Sequence, residues 1–183
     1  MSTPGSFVPA AVLFDRDGTL IDDVPYNGDP RLVKPVPGAR DALDLLRGKG
    51  IRVGVVTNQS GVGRGLLTEG GVRRVHARMV ELLGPFDDWR YCPHVAADGC
   101  VCRKPAPGMV HAACAALGVD PSTVVVVGDI ATDLEAAAAA GAMSIMVPND
   151  RTRRAEVQAA PVVASDLRAA AELAVELLSR EAA

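Results

Sequence analysis

Apolar residues arrive along this chain in two alternating patterns. Short, nearly continuous runs, rich in valine, isoleucine and leucine, occupy residues 11–14, 51–56, 123–127 and 142–147. Runs of this length suit strands covered on both faces, as in a parallel sheet. Between them lie stretches with apolar residues at helical spacing. Ala39, Ala42, Leu43, Leu45 and Leu46 mark a helix over residues 38–47 that ends near Gly48 and Gly50. Further helices are predicted from about Thr68 and over residues 109–117, 133–140 and 167–179. Strand followed by helix, repeated, predicts a doubly wound, mainly parallel α/β sheet, with residues 123–127 in its centre. A chain of 183 residues can bury one good core, and no stretch reads as a linker, so a single domain over residues 1–183 is expected.

The breaks in the pattern carry information too. Residues 1–10, with Pro4, Gly5 and Pro9, read as a lead-in to the first strand. Residues 21–37 hold Pro25, Asn27-Gly28, Pro30, Pro35 and Pro37, which excludes a long helix or a central strand and predicts a loop beside the first strand's end. Residues 60–65 are glycine-rich, but Leu66 stands where a G-x-G-x-x-G loop needs its third glycine, and no G-K-[ST] follows. This stretch therefore reads as a turn. It leads into a helix whose Arg73, Arg74, His76 and Arg78 are expected to form a solvated face.

Composition narrows the classes. The chain is 49% apolar and 22% charged with few aromatics, and no apolar run approaches the length of a membrane span. A formal charge of -3 without a basic stripe argues against a nucleic-acid partner. Residues 1–9 lack the basic-then-apolar order of a secretory signal, so a cytoplasmic location is expected; separately, the protein is expected to be a monomer. In a reducing compartment the four cysteines are better candidates for metal binding than for disulfides.

The chemistry concentrates where apolar runs end. The first run passes directly into Asp15-Arg16-Asp17-Gly18-Thr19, and a strand's period of two puts Asp15 and Asp17 on one side of the chain. Two carboxylates facing one small volume call for a positive partner, and an oxygen-liganded Mg2+ is the usual one. The second run ends in Thr57-Asn58-Gln59-Ser60, whose hydroxyl and following amides can hold a phosphate oxygen. In open α/β sheets both ends would lie side by side. Cys92, His94, Cys100 and Cys102 fall within eleven residues and match a closed Cys3His zinc site in ligand number and type. With no open coordination position, that zinc would be structural. The pair Arg103-Lys104 follows at once, and the run over 123–127 ends in Gly128-Asp129, with Asp133 four residues on. Asp133 either orients a metal-bound water or caps a helix. The remaining Cys114 and His111 lie on the alanine-rich helix over 109–117, where structural roles are expected.

These strand ends resemble the four motifs of the haloacid dehalogenase (HAD) superfamily of phosphatases, carried by Asp15-x-Asp17-Gly18-Thr19, Thr57, Lys104 and Asp129. The resemblance implies a HAD-like Rossmannoid fold without a large cap domain, and phosphomonoester hydrolysis through an aspartyl-phosphate. Asp15 would be the nucleophile and Asp17 the general acid and base, with Thr57 and Lys104 on the phosphoryl group. Mg2+ would be held by Asp15, Asp129 and Asp17, the last through its backbone carbonyl or its side chain, with Asp133 as a further candidate. The thiol loop resembles that of one branch, the D,D-heptose 1,7-bisphosphate phosphatases and the related histidinol-phosphate phosphatase domains. That branch implies a small phosphorylated substrate, a sugar bisphosphate, touched by Asp23, Tyr26, Asn58, Gln59, Ser60, Arg103 and Lys104. Two departures stand out: Ile130 replaces the lysine that often follows the fourth-motif aspartate, and the loop between His94 and Cys100 is short.

Overall fold

Five parallel strands form one sheet in the order β3-β2-β1-β4-β5, in a computed structural model that describes residues 9–181. They are β1 (Ala11–Phe14), β2 (Arg52–Asn58), β3 (Asp88–Cys92), β4 (Val124–Gly128) and β5 (Met143–Met146). The helices are α1 (Ala39–Gly48), α2 (Glu69–Leu83), α3 (Gly108–Leu117), α4 (Ala131–Ala140), α5 (Arg154–Ala159) and α6 (Leu167–Glu181). From β1 the chain winds outward through β2 to β3, then returns to the far side of β1 for β4 and β5. The direction of winding thus reverses between β1 and β4, which opens a crevice at their carboxyl ends.

Every residue of β1 and β4 is buried, as their unbroken apolar runs require. The period of two divides them between two cores. Val12, Phe14, Val53, Val55, Val125 and Val127 pack with α1, α2 and α6. Ala11, Leu13, Val56, Val124 and Val126 pack with α3 and α4. Each fully buried side chain of this size stabilises the fold by about 1.5–3 kcal/mol. Register then aims the site: Phe14 lies opposite both Val55 and Val127, so Asp15 emerges between the ends of β2 and β4. Its amide donates to the Val127 carbonyl at 2.9 Å, which holds the turn against β4.

Several expectations need adjustment. β4 is an interior strand, but β1 occupies the middle of the sheet. β2 continues through Asn58, so Thr57 and Asn58 sit within the strand. The edge strand β3 and the short helix α5 were not foreseen. His76 does not belong to a solvated face: its ring stacks on Trp89 with centroids 4.0 Å apart. Burial, and after it the Arg16 charge, push its pKa down to about 3. Cys114 is buried in the α3 core, whereas His111 is exposed. The loop over 21–37 contains a 3-10 turn, Pro30–Leu32, and an isolated antiparallel bridge between Ile21 and Pro35. Among the described residues no inserted folding unit stands over the carboxyl edge, and no helix is long and apolar enough to cross a membrane. The lead-in expected before Pro9 lies outside the described residues.

Candidate active site and metal centres

Lys104 is the hub of the crevice. Its Nζ lies 2.6 Å from Asp15 Oδ1 and 2.5 Å from Asp133 Oδ1, and donates to the Val56 carbonyl at 2.8 Å. The lysine is buried, and burial opposes its charge, but Asp133 and Asp15 outweigh burial and raise its pKa. Asp133 sits at the third position of α4, where its carboxylate also accepts from the Ile130 amide at 3.3 Å. It therefore caps the helix and holds the lysine. Removing either partner of such a buried pair would strand an uncompensated charge.

One ammonium does not balance three acids. Carboxylate oxygens of Asp15, Asp129 and Asp133 lie within 4.8 Å of one another, all in buried residues. Burial, then the Asp15 and Asp133 charges, push Asp129 up to about 7. Hard oxygen donors with surplus negative charge fit a divalent cation such as Mg2+. Asp129 is also well oriented. Thr19 Oγ1 donates to its Oδ1 at 3.2 Å and Asn149 Nδ2 to its Oδ2 at 2.8 Å. Gly18 makes this approach possible: at φ 83°, a Cβ there would come within 2.6 Å of Asp129 Oδ2.

Of the two oxygens Asp17 could offer a metal, main chain or side chain, the side chain is turned elsewhere. Its carboxylate stands outside the acid cluster, where Arg16 Nε donates to both oxygens at 3.0 Å and Gln59 Nε2 donates to Oδ2 at 2.8 Å. Burial raises its pKa and Arg16 opposes the rise. A metal ligand at this residue would have to be its main-chain carbonyl. Thr57 is buried beside it and accepts from Gln59 Nε2 at 3.0 Å, which leaves the hydroxyl proton free to donate. Asn58 braces the lysine loop: its Nδ2 donates to the Lys104 carbonyl and its Oδ1 accepts from the Lys104 amide, both at 3.1 Å.

Asp15, Asp17, Thr57, Lys104, Asp129 and Asp133 line a cleft of about 320 Å3, with Asp23, Tyr26, Gln59 and Ser60 at its walls. Tyr26 has φ 53°, uncommon for a non-glycine residue, and its ring lies over Gly61, where a Cβ would come within 2.6 Å. Arg103 is not among the lining residues; its Nη1 donates to the His94 carbonyl at 3.3 Å. Arg16, Asn149 and Arg151 were missed. The run Asn149-Asp150-Arg151 beyond the last strand is the same kind of polar strand end that singled out Thr57, and so was available as a signal.

The thiol loop gathers as its composition implied. Sγ of Cys102 is 3.2 Å from that of Cys92 and 3.5 Å from that of Cys100, and His94 Nδ1 is 3.3 Å from Cys102 Sγ. The cysteines are not in disulfides. Tetrahedral zinc with bonds of about 2.3 Å to sulfur separates its ligand atoms by roughly 3.5–3.8 Å, so the four donors fit a closed zinc site. The loop begins at the end of β3 and runs into Lys104, joining a candidate structural metal to the catalytic edge.

With this geometry in place, comparison with known proteins is specific. Residues 26–141 match the haloacid dehalogenase-like hydrolase family. The chain is 37% identical over 148 residues to the D-glycero-beta-D-manno-heptose-1,7-bisphosphate 7-phosphatase of Pseudomonas putida, across 78% of this chain and 85% of the relative. With the enzyme of the same name from Rhodopseudomonas palustris it shares 39% over 144 residues, across 73% and 79%. The crystal structure of D,D-heptose 1,7-bisphosphate phosphatase from B. bronchiseptica, complexed with magnesium and phosphate, superposes with a TM-score of 0.81 at 33% identity. It covers 91% of this chain and 98% of that one. The chain belongs to the haloacid dehalogenase-like hydrolase family, and within it to the phosphatases.

Proposed function

We propose that this phosphatase removes the 7-phosphate of D-glycero-D-manno-heptose 1,7-bisphosphate, with residues 1–183 acting as one catalytic domain. The single observation that carries the chemistry is the contact of Asp15 with Lys104 beside Asp129 and Asp133, at the point where the sheet's winding reverses. The names of the relatives support the substrate.

In the proposed reaction a carboxylate oxygen of Asp15 attacks phosphorus as the bond from phosphorus to the sugar oxygen breaks, giving an aspartyl-phosphate. Asp17 gives its proton to the departing alkoxide, then takes one from the water that attacks the aspartyl-phosphate. That second displacement restores the Asp15 carboxylate and releases inorganic phosphate. Thr57 Oγ1 and Lys104 Nζ donate to the phosphoryl oxygens. Mg2+ would be held by Asp15 and Asp129, with the Asp17 carbonyl and Asp133 as further oxygens. When bound it offsets charge on the transferring group. Arg16 and Gln59 set where the Asp17 carboxylate stands before it acts. A zinc on Cys92, His94, Cys100 and Cys102 would fix the path into Lys104.

The test is phosphate release from the heptose bisphosphate, related sugar phosphates and histidinol phosphate, with and without Mg2+. The heptose bisphosphate should give the highest kcat/KM, and dependence on Mg2+ should be complete. Preferred hydrolysis of histidinol phosphate would overturn the substrate, and transfer of the phosphoryl group to a sugar would overturn hydrolysis.

A further inference from the structure

We infer that Arg151 is the receptor for the substrate's second phosphate, the one that is not transferred, and that Asp23 is the counter-ion this phosphate displaces. The inference rests on the proposed bisphosphate reading and assigns a residue to it.

Three cations line the cleft, Arg16, Lys104 and Arg151. The first two have side chains only 1% and 2% exposed and are already engaged, Arg16 by Asp17 and Lys104 by Asp15 and Asp133. Their positive charge serves the reacting centre. Arg151 is of another kind, with its side chain 62% exposed at the mouth. The other candidates fall away on position or chemistry. Ile130 lines the same cleft but brings no charge, and Arg103 is turned onto the His94 carbonyl.

Although its tip is exposed, the root of Arg151 is fixed. Its amide donates to Asn149 Oδ1 at 2.8 Å, and Asn149 Nδ2 in turn donates to Asp129 Oδ2 at 2.8 Å and to the Gly18 carbonyl at 3.0 Å. Thr152 Oγ1 donates to the Asp129 carbonyl at 2.8 Å. The turn after β5 is therefore tied on both sides of Arg151 to Asp129 and to the turn that follows Asp15. A cation with this root stands at a set distance from the reacting centre, as recognition of a second group on one substrate demands.

The present partner of Arg151 suits exchange. Its guanidinium pairs with Asp23, which reaches the mouth from the opposite loop. An ion pair this exposed contributes little to stability. A phosphate dianion offers the same planar fork more charge and more acceptor oxygens. On exchange, Asp23 is released beside the bound sugar, where its carboxylate can accept from hydroxyls.

The decisive experiment measures kcat/KM of the unmodified enzyme, Arg151→Ala and Arg151→Lys on D-glycero-D-manno-heptose 1,7-bisphosphate and on the corresponding 7-phosphate. The unmodified enzyme should favour the bisphosphate. Arg151→Ala should lose about 10–100-fold on it, mainly through KM, and at least tenfold less on the 7-phosphate, with partial recovery in Arg151→Lys. Equal losses on both substrates, or a bisphosphate preference retained by Arg151→Ala, would overturn the inference while leaving the proposed function standing. An unmodified enzyme inactive on both, or indifferent to the second phosphate, would overturn both.

Discussion

The acid cluster between β1 and β4 and the thiol cluster beyond β3 both gather metal-ligating side chains, by contrasting means. Asp15, Asp129 and Asp133 are hard donors from the ends of β1 and β4 and the first turn of α4, set in an open cleft with Lys104 between two of them. Cys92, His94, Cys100 and Cys102 are softer donors from one short loop, with no position left for a substrate. Charge repulsion in the first set suits an ion that arrives and leaves with turnover. Saturated coordination in the second suits one that stays. The clusters should therefore respond differently to mutation, chelation and pH.

The largest effect is expected from Asp15→Asn, which keeps shape and removes the nucleophile: kcat should fall by about 10^4-fold or more with unchanged circular dichroism. Full activity would separate the acid cluster from catalysis altogether. Asp17→Asn should cost about 10^2–10^4-fold, since acid and base assistance is lost while Arg16 and Gln59 still have an oxygen to hold. A change confined to KM would argue against that role. Next comes Cys102→Ser, expected to empty the thiol cluster of zinc and destabilise the fold by about 3 kcal/mol, lowering the melting midpoint by roughly 6–12 °C. Elemental analysis showing no zinc in the unmodified protein, purified without chelators, would remove the contrast.

The smallest effect concerns pH and belongs to the acid cluster alone. Asp129 has a folded-state pKa of about 7 against an ordinary value of 3.8. The folded, magnesium-free protein thus binds this proton more tightly than the unfolded chain does. Stability should fall as pH rises between these two values and level off above the higher. Because Mg2+ competes with that proton, stabilisation by added MgCl2 should grow from pH 5.5 to pH 8. Thermal melts that show Mg2+ stabilising more at the lower pH would contradict the assignment.

Much of this arrangement was legible in the sequence, for reasons that differ by element. β1, β4 and the middle of β2 are sealed on both faces, so they must be apolar there and announce themselves. β3 is an edge strand reading Asp-Trp-Arg-Tyr-Cys, four of its five residues only half-buried, and lacks that constraint. α5 buries no residue, so its pattern carries no stripe. His76 looked solvated because arginines flank it in sequence, yet it lies against Trp89 and not beside them. The acidic strand ends were plain, but the ion pair of Asp133 with Lys104 depends on how α4 meets the lysine loop. Side-chain direction likewise settled Arg103, which braces the thiol loop, and Arg151, which faces the cleft.

The sequence separations of the two clusters carry a consequence for how the protein comes into being. The contacts among the thiols and His94 span 2 to 10 residues. Those of the acid site span 89 residues from Lys104 to Asp15 and 110 from Thr19 to Asp129. Closing a short loop costs less chain entropy and takes far less time than bringing distant segments into register. During synthesis the thiol loop can close as soon as it emerges, while the first strand still lacks its neighbour β4. A growing chain therefore carries its nucleophile for most of its synthesis without the surroundings that would make it reactive, and gains them only when the second half of the sheet docks.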